Sequence, residues 1–152
     1  MTLDDYVAII AVLNRYADVC DTKDFDRFAD VFTADAPMDY STIPDVHIGP
    51  REIAANVQRN LGGCGPTQHL LGNYEVDVDG DTARASCKVR AFHLGIGAHE
   101  GETFEALATY RDRLVRTAAG WRIAARTMDV AVLLGNFDVL QPPPDALSSS
   151  CR

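Results

Sequence analysis

The sequence predicts an α+β protein in which helices come first and an antiparallel sheet follows. Apolar residues recur at helical spacing up to Leu61, and from Thr67 onward they alternate with polar residues, as in strands. Turn signals at Asp79-Gly80 and Ala119-Gly120 separate the alternating segments. This order favours helices packed against one face of a meandering sheet.

Length and composition indicate one globular domain. The 152 residues are 47% hydrophobic and 24% charged, a balance that supports a core without disulfides. We expect the domain to cover residues 1–140 and a flexible tail to cover residues 141–152, because three prolines at 142–144 end the patterned sequence.

The net charge and the N-terminal sequence limit which kinds of molecule the protein is expected to bind. A net charge of −8 argues against nucleic acid, which binds to clustered Lys and Arg. The first ten residues lack a basic segment, and no apolar run reaches the roughly 20 residues of a membrane span. We therefore expect a cytoplasmic protein that binds a small-molecule substrate, with neither nucleic acid nor a membrane as partner.

The first helix should begin at a capping box formed by Thr2 and Asp5. Asp21 lies at the far end of this helix, on or beside its apolar stripe, and a carboxylate on the buried side of a helix needs a partner. The stripe continues at spacings of four and three through Tyr6, Ile10, Leu13, Ala17 and Cys20.

Two further helical segments precede the sheet. Phe25, Phe28 and Phe32 form a short helical stripe, and residues 35–42 are predicted to be extended. A third helix should begin at Pro50 and end before the glycines at 62 and 63.

Four long strands are predicted after the helices. The first carries Tyr74, Val76 and Val78 on one face, and the second alternates over residues 83–91. The third covers residues 103–117 and the fourth covers residues 121–130. Many inward positions are small and leave room inside a curved sheet: Ala83, Ala85, Ala91, Ala106 and Ala108.

His93 continues the inward face of the second strand with its parity unchanged. A lone inward histidine is more often a core residue than a catalyst, but Gly95 and Gly97 follow it and indicate an open rim. An aspartate beside a histidine fixes the imidazole tautomer and raises its pKa. We therefore predict that Asp21 and His93 pair and act as a general base or acid.

The orientation of three other side chains stays open on spacing alone. Simple alternation turns His69 outward, whereas a bulge at Gly72 reverses the phase and turns it inward. Tyr40 is either structural or holds a substrate oxygen, and the same two readings apply to Tyr16 and Tyr110.

Motifs for several classes of chemistry are absent from the sequence. The chain has no dinucleotide-binding fingerprint, no P-loop and no nucleophile elbow. Its four cysteines match no zinc spacing and no compact disulfide framework. A metal site formed by His69, His93 and Asp21 has no recognised spacing, so we expect neither a metal nor a cofactor.

The run from Cys20 to Asp26, the pair Asp39-Tyr40, the triplet Thr67-Gln68-His69 and then His93 resemble scytalone dehydratases. More broadly, the chain is similar to the SnoaL-like branch of the nuclear transport factor 2-like superfamily over roughly residues 4–137. The resemblance implies a cone, in which a strongly bent antiparallel sheet surrounds a pocket closed by N-terminal helices. It also implies the bulge at Gly72 and an inward His69.

The resemblance also implies roles for individual residues. In scytalone dehydratase an aspartate pairs with a histidine that acts as the base, and two tyrosines hold a water against the substrate carbonyl. By this resemblance Asp21 is the aspartate, His93 the base, His69 the second histidine and Tyr40 one tyrosine. Cys20 stands where the other tyrosine is expected, so the carbonyl-polarising half of the site differs. Substrate contacts are predicted at Tyr16, Cys20, Tyr110, Phe104 and Asn73.

We therefore expect a cofactor-independent lyase (a dehydratase) or a cyclase that acts on a small hydroxylated polyketide-like or aromatic carbonyl compound. One alternative is an epoxide-opening cyclase or hydrolase, or a ketosteroid-isomerase-type isomerase, in the same pocket. Another is a non-catalytic module for small-molecule binding or assembly. Superfamily relatives associate through the outer sheet face, so both a homodimer and a homotrimer are compatible with the resemblance.

Overall fold

Helix α1 covers Leu3–Thr22 in a computed structural model that describes residues 2–40 and 45–142. The Thr2 hydroxyl accepts the backbone N–H of Asp5 at 3.1 Å, which confirms the predicted cap. Lys23 ends the helix in the left-handed region, with a φ of 58°. The helix buries a stripe that includes Ile9, Leu13, Tyr16, Val19 and Cys20.

A 3-10 helix over Phe25–Asp30 and helix α2 over Gly49–Leu61 complete the helical layer. Phe25 and Phe28 are buried, as their spacing predicted. Pro50 lies in the first turn of α2, where a missing N–H leaves no helical hydrogen bond unmade. In the part of the chain that is described, no helix has the length and apolar character needed to cross a membrane.

One sheet contains six strands, namely β1 (Pro37–Tyr40), β2 (Val46–Ile48), β3 (Thr67–Asp79), β4 (Thr82–Leu94), β5 (Thr103–Thr117) and β6 (Gly120–Gly135). Their order is β2-β1-β6-β5-β4-β3, and only the β1–β6 pair is parallel. The predicted α+β class is confirmed. The short strand β2 was not predicted, and residues 41–42 of the predicted extended segment lie outside the described residues.

Small residues line the concave face of the sheet, which faces helix α1. Because a methyl group fills so little of the space between the layers, the alanines leave room there for a cavity. Each is at most 6% exposed, as the alternation predicted: Ala83, Ala85, Ala91, Ala106 and Ala108.

A bulge interrupts β3 between Gly72 and Glu75. Three steps along β3 match two steps along β4, so β3 carries one extra residue. Asn73 lies in the bulge with a φ of 54°. The bulge keeps both His69 and Tyr74 on the inner side, because it reverses the alternation between them. The bulge and the inward His69 that the resemblance implied are therefore confirmed.

The segment after β6 packs against the end of α2. A 3-10 helix over Phe137–Val139 follows β6. Gln141 accepts the backbone N–H of Gly63 at 2.8 Å, and its side chain donates to the Gly63 carbonyl at 3.2 Å. Residues 143–152 of the predicted tail lie outside the described residues.

Arg126 and Asp112 form an ion pair inside the core. Nε and Nη2 of Arg126 donate to the two carboxylate oxygens at 2.7 and 2.8 Å, and neither side chain has exposed surface. The two residues are register partners on β5 and β6. The guanidinium lies between the rings of Tyr16 and Tyr110, at 4.2 and 4.1 Å from their centroids.

We expect Asp112→Ala to lower the free energy of unfolding by about 3–5 kcal/mol, because it leaves the Arg126 charge buried without its partner. Asp129→Ala is a matched control, since Asp129 pairs with Arg111 at 2.6 Å on the exposed face. That change should cost no more than about 1 kcal/mol. Urea unfolding measures both effects, and equal losses in the two variants would contradict the prediction.

Candidate active site

A cavity of about 140 Å³ lies between the concave face of the sheet and the helices. Its wall is mostly apolar, and the half-exposed Leu133 and Phe137 contribute to it. The sequence-predicted site residues that line it are Tyr16, Cys20, Tyr40, His69, His93, Phe104 and Tyr110.

Asp21 and His69 form an acid–base pair, of which His69 lines the cavity and Asp21 does not. Nδ1 of His69 lies 2.7 Å from Oδ1 of Asp21, within the range of a charge-assisted hydrogen bond. Asp21 comes from the last turn of α1 and His69 from β3, so the pair joins the helix to the edge strand. Because Nδ1 carries the hydrogen that is donated to the carboxylate, Nε2 carries no hydrogen. Its lone pair is therefore able to act as a base.

The Thr-Gln-His triplet provides the other partners of this carboxylate. Oδ2 of Asp21 accepts the backbone N–H of His69 at 2.8 Å, and Oδ1 accepts the Thr67 hydroxyl at 3.1 Å. Thr67 and His69 face the same side because strand side chains alternate, and Gln68 faces solvent between them. Burial alone raises the pKa of Asp21, but the hydrogen bonds from His69 and Thr67 outweigh it and lower the pKa. Asp21 is therefore ionised near neutral pH.

His93 is hydrogen-bonded to strand β5. Its Nδ1 donates to the backbone carbonyl of Phe104 at 3.1 Å, and its ring is perpendicular to that of His69, with centroids 5.6 Å apart. Burial, and to a smaller extent the nearby His69, lower the pKa of His93 to about 4. The imidazole is therefore neutral at physiological pH, and Nε2 is a hydrogen-bond acceptor.

The predicted pairing of Asp21 with His93 is wrong, because Asp21 binds His69. Alternation along β4 does place His93 inward, as expected. However, β3 is the edge strand and contacts α1, so the carboxylate at the end of α1 meets β3 before β4. The bulge in β3 then supplies an inward histidine at the position that Asp21 reaches.

A second polar group lies on the part of the wall formed by α1, β1 and α2. Tyr16, Cys20, Tyr40 and Asn56 all line the cavity there. Burial raises the pKa of Tyr40 and that of Cys20, each to about 12, so both groups keep their hydrogens at neutral pH.

Asn56 and Asn60 of helix α2 line the cavity and were not predicted as site residues. They are four positions apart and therefore share one face of the helix. Their spacing was visible in the sequence next to the apolar residues Ile53 and Val57. Polar residues that flank an apolar stripe usually face solvent, and only the packing of α2 shows that these two face a cavity.

Asn73, which was predicted to contact substrate, is exposed and does not line the cavity. It lies in the bulge of β3, so the distortion that keeps His69 inward turns Asn73 toward the outer face. Within residues 2–40 and 45–142, no group of three His, Cys, Asp or Glu side chains is arranged to hold a metal ion.

The fold and the cavity together define a class of protein, in which a curved sheet and N-terminal helices enclose a mostly apolar pocket that contains ionisable groups. The family model of the SnoaL-like domain matches residues 1–127. The chain belongs to this family, within the nuclear transport factor 2-like superfamily, and the resemblance found in the sequence is confirmed.

Comparison with known proteins gives one relative and two structures of particular interest. Rv2910c of Mycobacterium tuberculosis, an uncharacterized protein, is 35% identical over 127 residues, which cover 82% of this chain and 84% of the relative. A Novosphingobium aromaticivorans protein provisionally named an aromatic ring hydroxylase is 29% identical, with a TM-score of 0.81 and coverage of 91% of this chain and 98% of its own. A second protein of that organism, provisionally named a scytalone dehydratase, is 19% identical, with a TM-score of 0.79 and coverage of 93% and 94%. This last similarity shows the fold alone.

We expect the protein to lose stability as the pH falls from about 6.5 to about 4, because the pKa of His93 is about 4 in the folded state. Over this range the unfolded chain binds a proton on His93 that the folded protein does not bind, so protons favour unfolding. The loss should approach about 3 kcal/mol at the lower limit.

Urea unfolding across this pH range measures the effect. His93→Gln keeps a donor for the Phe104 carbonyl but does not titrate, so its stability should change much less with pH. His47→Gln is the control, since His47 lies outside the cavity. An unchanged pH slope in His93→Gln would show that His93 is not the titrating group.

Proposed function

We propose that this chain is a cofactor-independent lyase of the dehydratase type, or a cyclase, that removes a proton next to a carbonyl group. The 2.7 Å hydrogen bond between Asp21 and His69, whose ring lines a mostly apolar cavity, carries the proposal. The ionised carboxylate fixes the His69 tautomer and stabilises the imidazolium that forms when Nε2 accepts a proton. The role of base, which the resemblance assigned to His93, is thus proposed for His69.

The proposed dehydration is redox-neutral. Nε2 of His69 takes the proton from the carbon next to the carbonyl, and the electrons of that C–H bond form an enolate. The Tyr40 hydroxyl donates a hydrogen bond to the oxygen that gains charge. Protonated His69 then gives its proton to the hydroxyl on the next carbon, which leaves as water while the carbon–carbon double bond forms.

His93 is proposed to position the leaving hydroxyl. Because its Nδ1 hydrogen is bonded to Phe104, its Nε2 accepts a hydrogen bond from a ligand hydroxyl. Its pKa of about 4 keeps it neutral, so it does not compete with His69 as the proton carrier near neutral pH. A ligand with a hydroxyl group is therefore able to donate a hydrogen bond to Nε2 of His93, which lines the cavity.

The size of the cavity favours a ligand with a single ring. Its volume of about 140 Å³ is close to that of an engineered apolar cavity of about 150 Å³ that binds benzene. Its wall is mainly aliphatic and aromatic, with a few polar groups, as in sites for small organic ligands. Small aromatic or cyclic hydroxy-ketones fit this description.

Two observations from the comparisons support the same class of chemistry. The SnoaL-like family and the nuclear transport factor 2-like fold provide the enclosed pocket, and one protein of the same fold carries the name scytalone dehydratase. An isomerase or an epoxide-opening enzyme would use the same base on a different ligand, whereas a binding module would use Asp21 and His69 only as a structural pair.

The proposal predicts that 3-hydroxycyclohexanone loses water to give cyclohex-2-enone, whose ultraviolet absorbance reports the reaction. Asp21→Asn and His69→Gln should each lower the rate about 10²- to 10⁴-fold, the usual contribution of a general base. Exchange of the protons next to the carbonyl with deuterium, followed by NMR, measures proton removal separately from loss of water. His99→Gln, which changes a histidine outside the cavity, is the matched control.

The same assay distinguishes the alternatives. Exchange without dehydration would indicate an isomerase, and turnover of a matched hydroxy-epoxide alone would indicate ring opening. If the ligand binds but is recovered unchanged and unexchanged after long incubation, the enzymatic proposal is wrong. Thermal unfolding of each variant shows whether a lost rate reflects lost structure.

A further inference from the structure

The side-chain amide of Asn60 has a fixed orientation. Its Nδ2 donates to the Asn56 backbone carbonyl at 2.9 Å and to the Asn56 side-chain oxygen at 3.3 Å. Because a carbonyl oxygen only accepts hydrogen bonds, the atom beside it must be the NH₂ group, and Oδ1 faces away from Asn56. Asn60 lines the cavity, and no group within residues 2–40 and 45–142 donates to its Oδ1. Asn60 therefore brings an acceptor without a protein partner to the cavity wall.

Contacts with the segment after β6 hold the last turn of α2 in place. The Cys64 thiol shares its hydrogen between the backbone carbonyls of Asn60 and Val139, at 3.4 and 3.0 Å. Gly63 donates its backbone N–H to the Gln141 carbonyl at 2.8 Å. The acceptor on Asn60 is thus positioned before a ligand arrives, which lowers the entropy cost of binding to it.

On the sheet side of the cavity, two histidines present further acceptors. Nδ1 of His69 is bonded to Asp21 at 2.7 Å, and Nδ1 of His93 is bonded to the Phe104 carbonyl at 3.1 Å. In the neutral form of each ring, Nε2 is then an acceptor. Acceptors therefore lie on both the helical side and the sheet side, and a ligand that spans the cavity needs a donor at each end.

The charges around the cavity favour a neutral ligand. None of the described residues that line it is Lys or Arg, and the ionised Asp21 is hydrogen-bonded to His69. A carboxylate or phosphate group would place a negative charge among acceptors, with no cation in the wall to pair with it. Hydroxyl groups on a ring provide donors without a charge and therefore match this wall.

We propose that Asn60 is a specificity-determining residue, whose Oδ1 accepts a hydrogen bond from a ligand hydroxyl other than the one bound at the histidines. The ligand class is then a neutral single ring with two hydroxyl groups. This inference rests on the cavity of the proposed function and narrows its ligand class. Recognition of the second hydroxyl, however, requires no proton removal by His69, so binding tests it separately from turnover.

Three matched pairs of single-ring ligands test the inference. Each benzenediol (ortho, meta or para) is compared with the fluorophenol in which fluorine replaces one hydroxyl. Fluorine is similar in size to a hydroxyl but does not donate, so each pair isolates one donor. Near neutral pH, calorimetric titration should show the benzenediol bound about three- to tenfold more tightly in at least one pair, the usual net contribution of one hydrogen bond.

Variants of Asn60 separate recognition from support of the helix. Asn60→Leu should abolish the preference and change fluorophenol binding less than about twofold, because leucine has the branched shape of the amide but accepts no hydrogen bond. Asn60→Asp should retain the preference, because its carboxylate still accepts. A purely structural role would make the two variants alike, since both lose the hydrogen bonds to Asn56. Gln58→Leu makes the same change at an exposed position of α2 and should leave the preference unaltered.

The outcomes are distinct from those of the dehydration assay, because a benzenediol has no proton on a carbon next to a carbonyl group. A preference that Asn60→Leu removes and Asn60→Asp retains supports the inference, even if 3-hydroxycyclohexanone is not dehydrated. No preference in any pair overturns it even if dehydration occurs. A preference that persists in Asn60→Leu, or that is lost in Asn60→Asp, overturns it as well.

Discussion

The Asp21 carboxylate is the point at which the helical layer and the sheet are joined beside the cavity. It receives the Thr67 hydroxyl, the His69 backbone N–H and the His69 ring, all from one stretch of the edge strand β3. These hydrogen bonds hold the end of α1 over the strand and also fix the tautomer of the histidine. Docking of the helix and orientation of the base therefore depend on the same carboxylate.

The sheet and the helices were predictable because they follow from local patterns. The capping box at Thr2, the proline at the start of α2 and the alternation along β4 all lie where the structure has the corresponding elements. The small inward residues of β4 and β5 also predicted that the sheet leaves space inside. These features depend on neighbouring residues in the sequence, and they do not require knowledge of how the layers pack.

The arrangement of the site was less predictable because it depends on distances between elements. Alternation identified His93 as inward but gave no information on which histidine lies under the end of α1. The bulge at Gly72 was only one of two readings of the spacing, and the family resemblance was needed to prefer it. Asn56 was missed for a related reason, since an amide beside an apolar stripe has the same sequence pattern whether it faces solvent or a cavity.

The ion pair between Arg126 and Asp112 restricts which substitutions are tolerated at these two positions during evolution. Loss of either partner leaves the other charge in a core from which water is excluded, whereas replacement of both by apolar residues of similar volume is often neutral or stabilising. Whichever residue is replaced first, the variant with only one substitution is therefore the least stable. Lineages that descend from a common ancestor should keep both residues or exchange both, so positions 112 and 126 should covary among homologues.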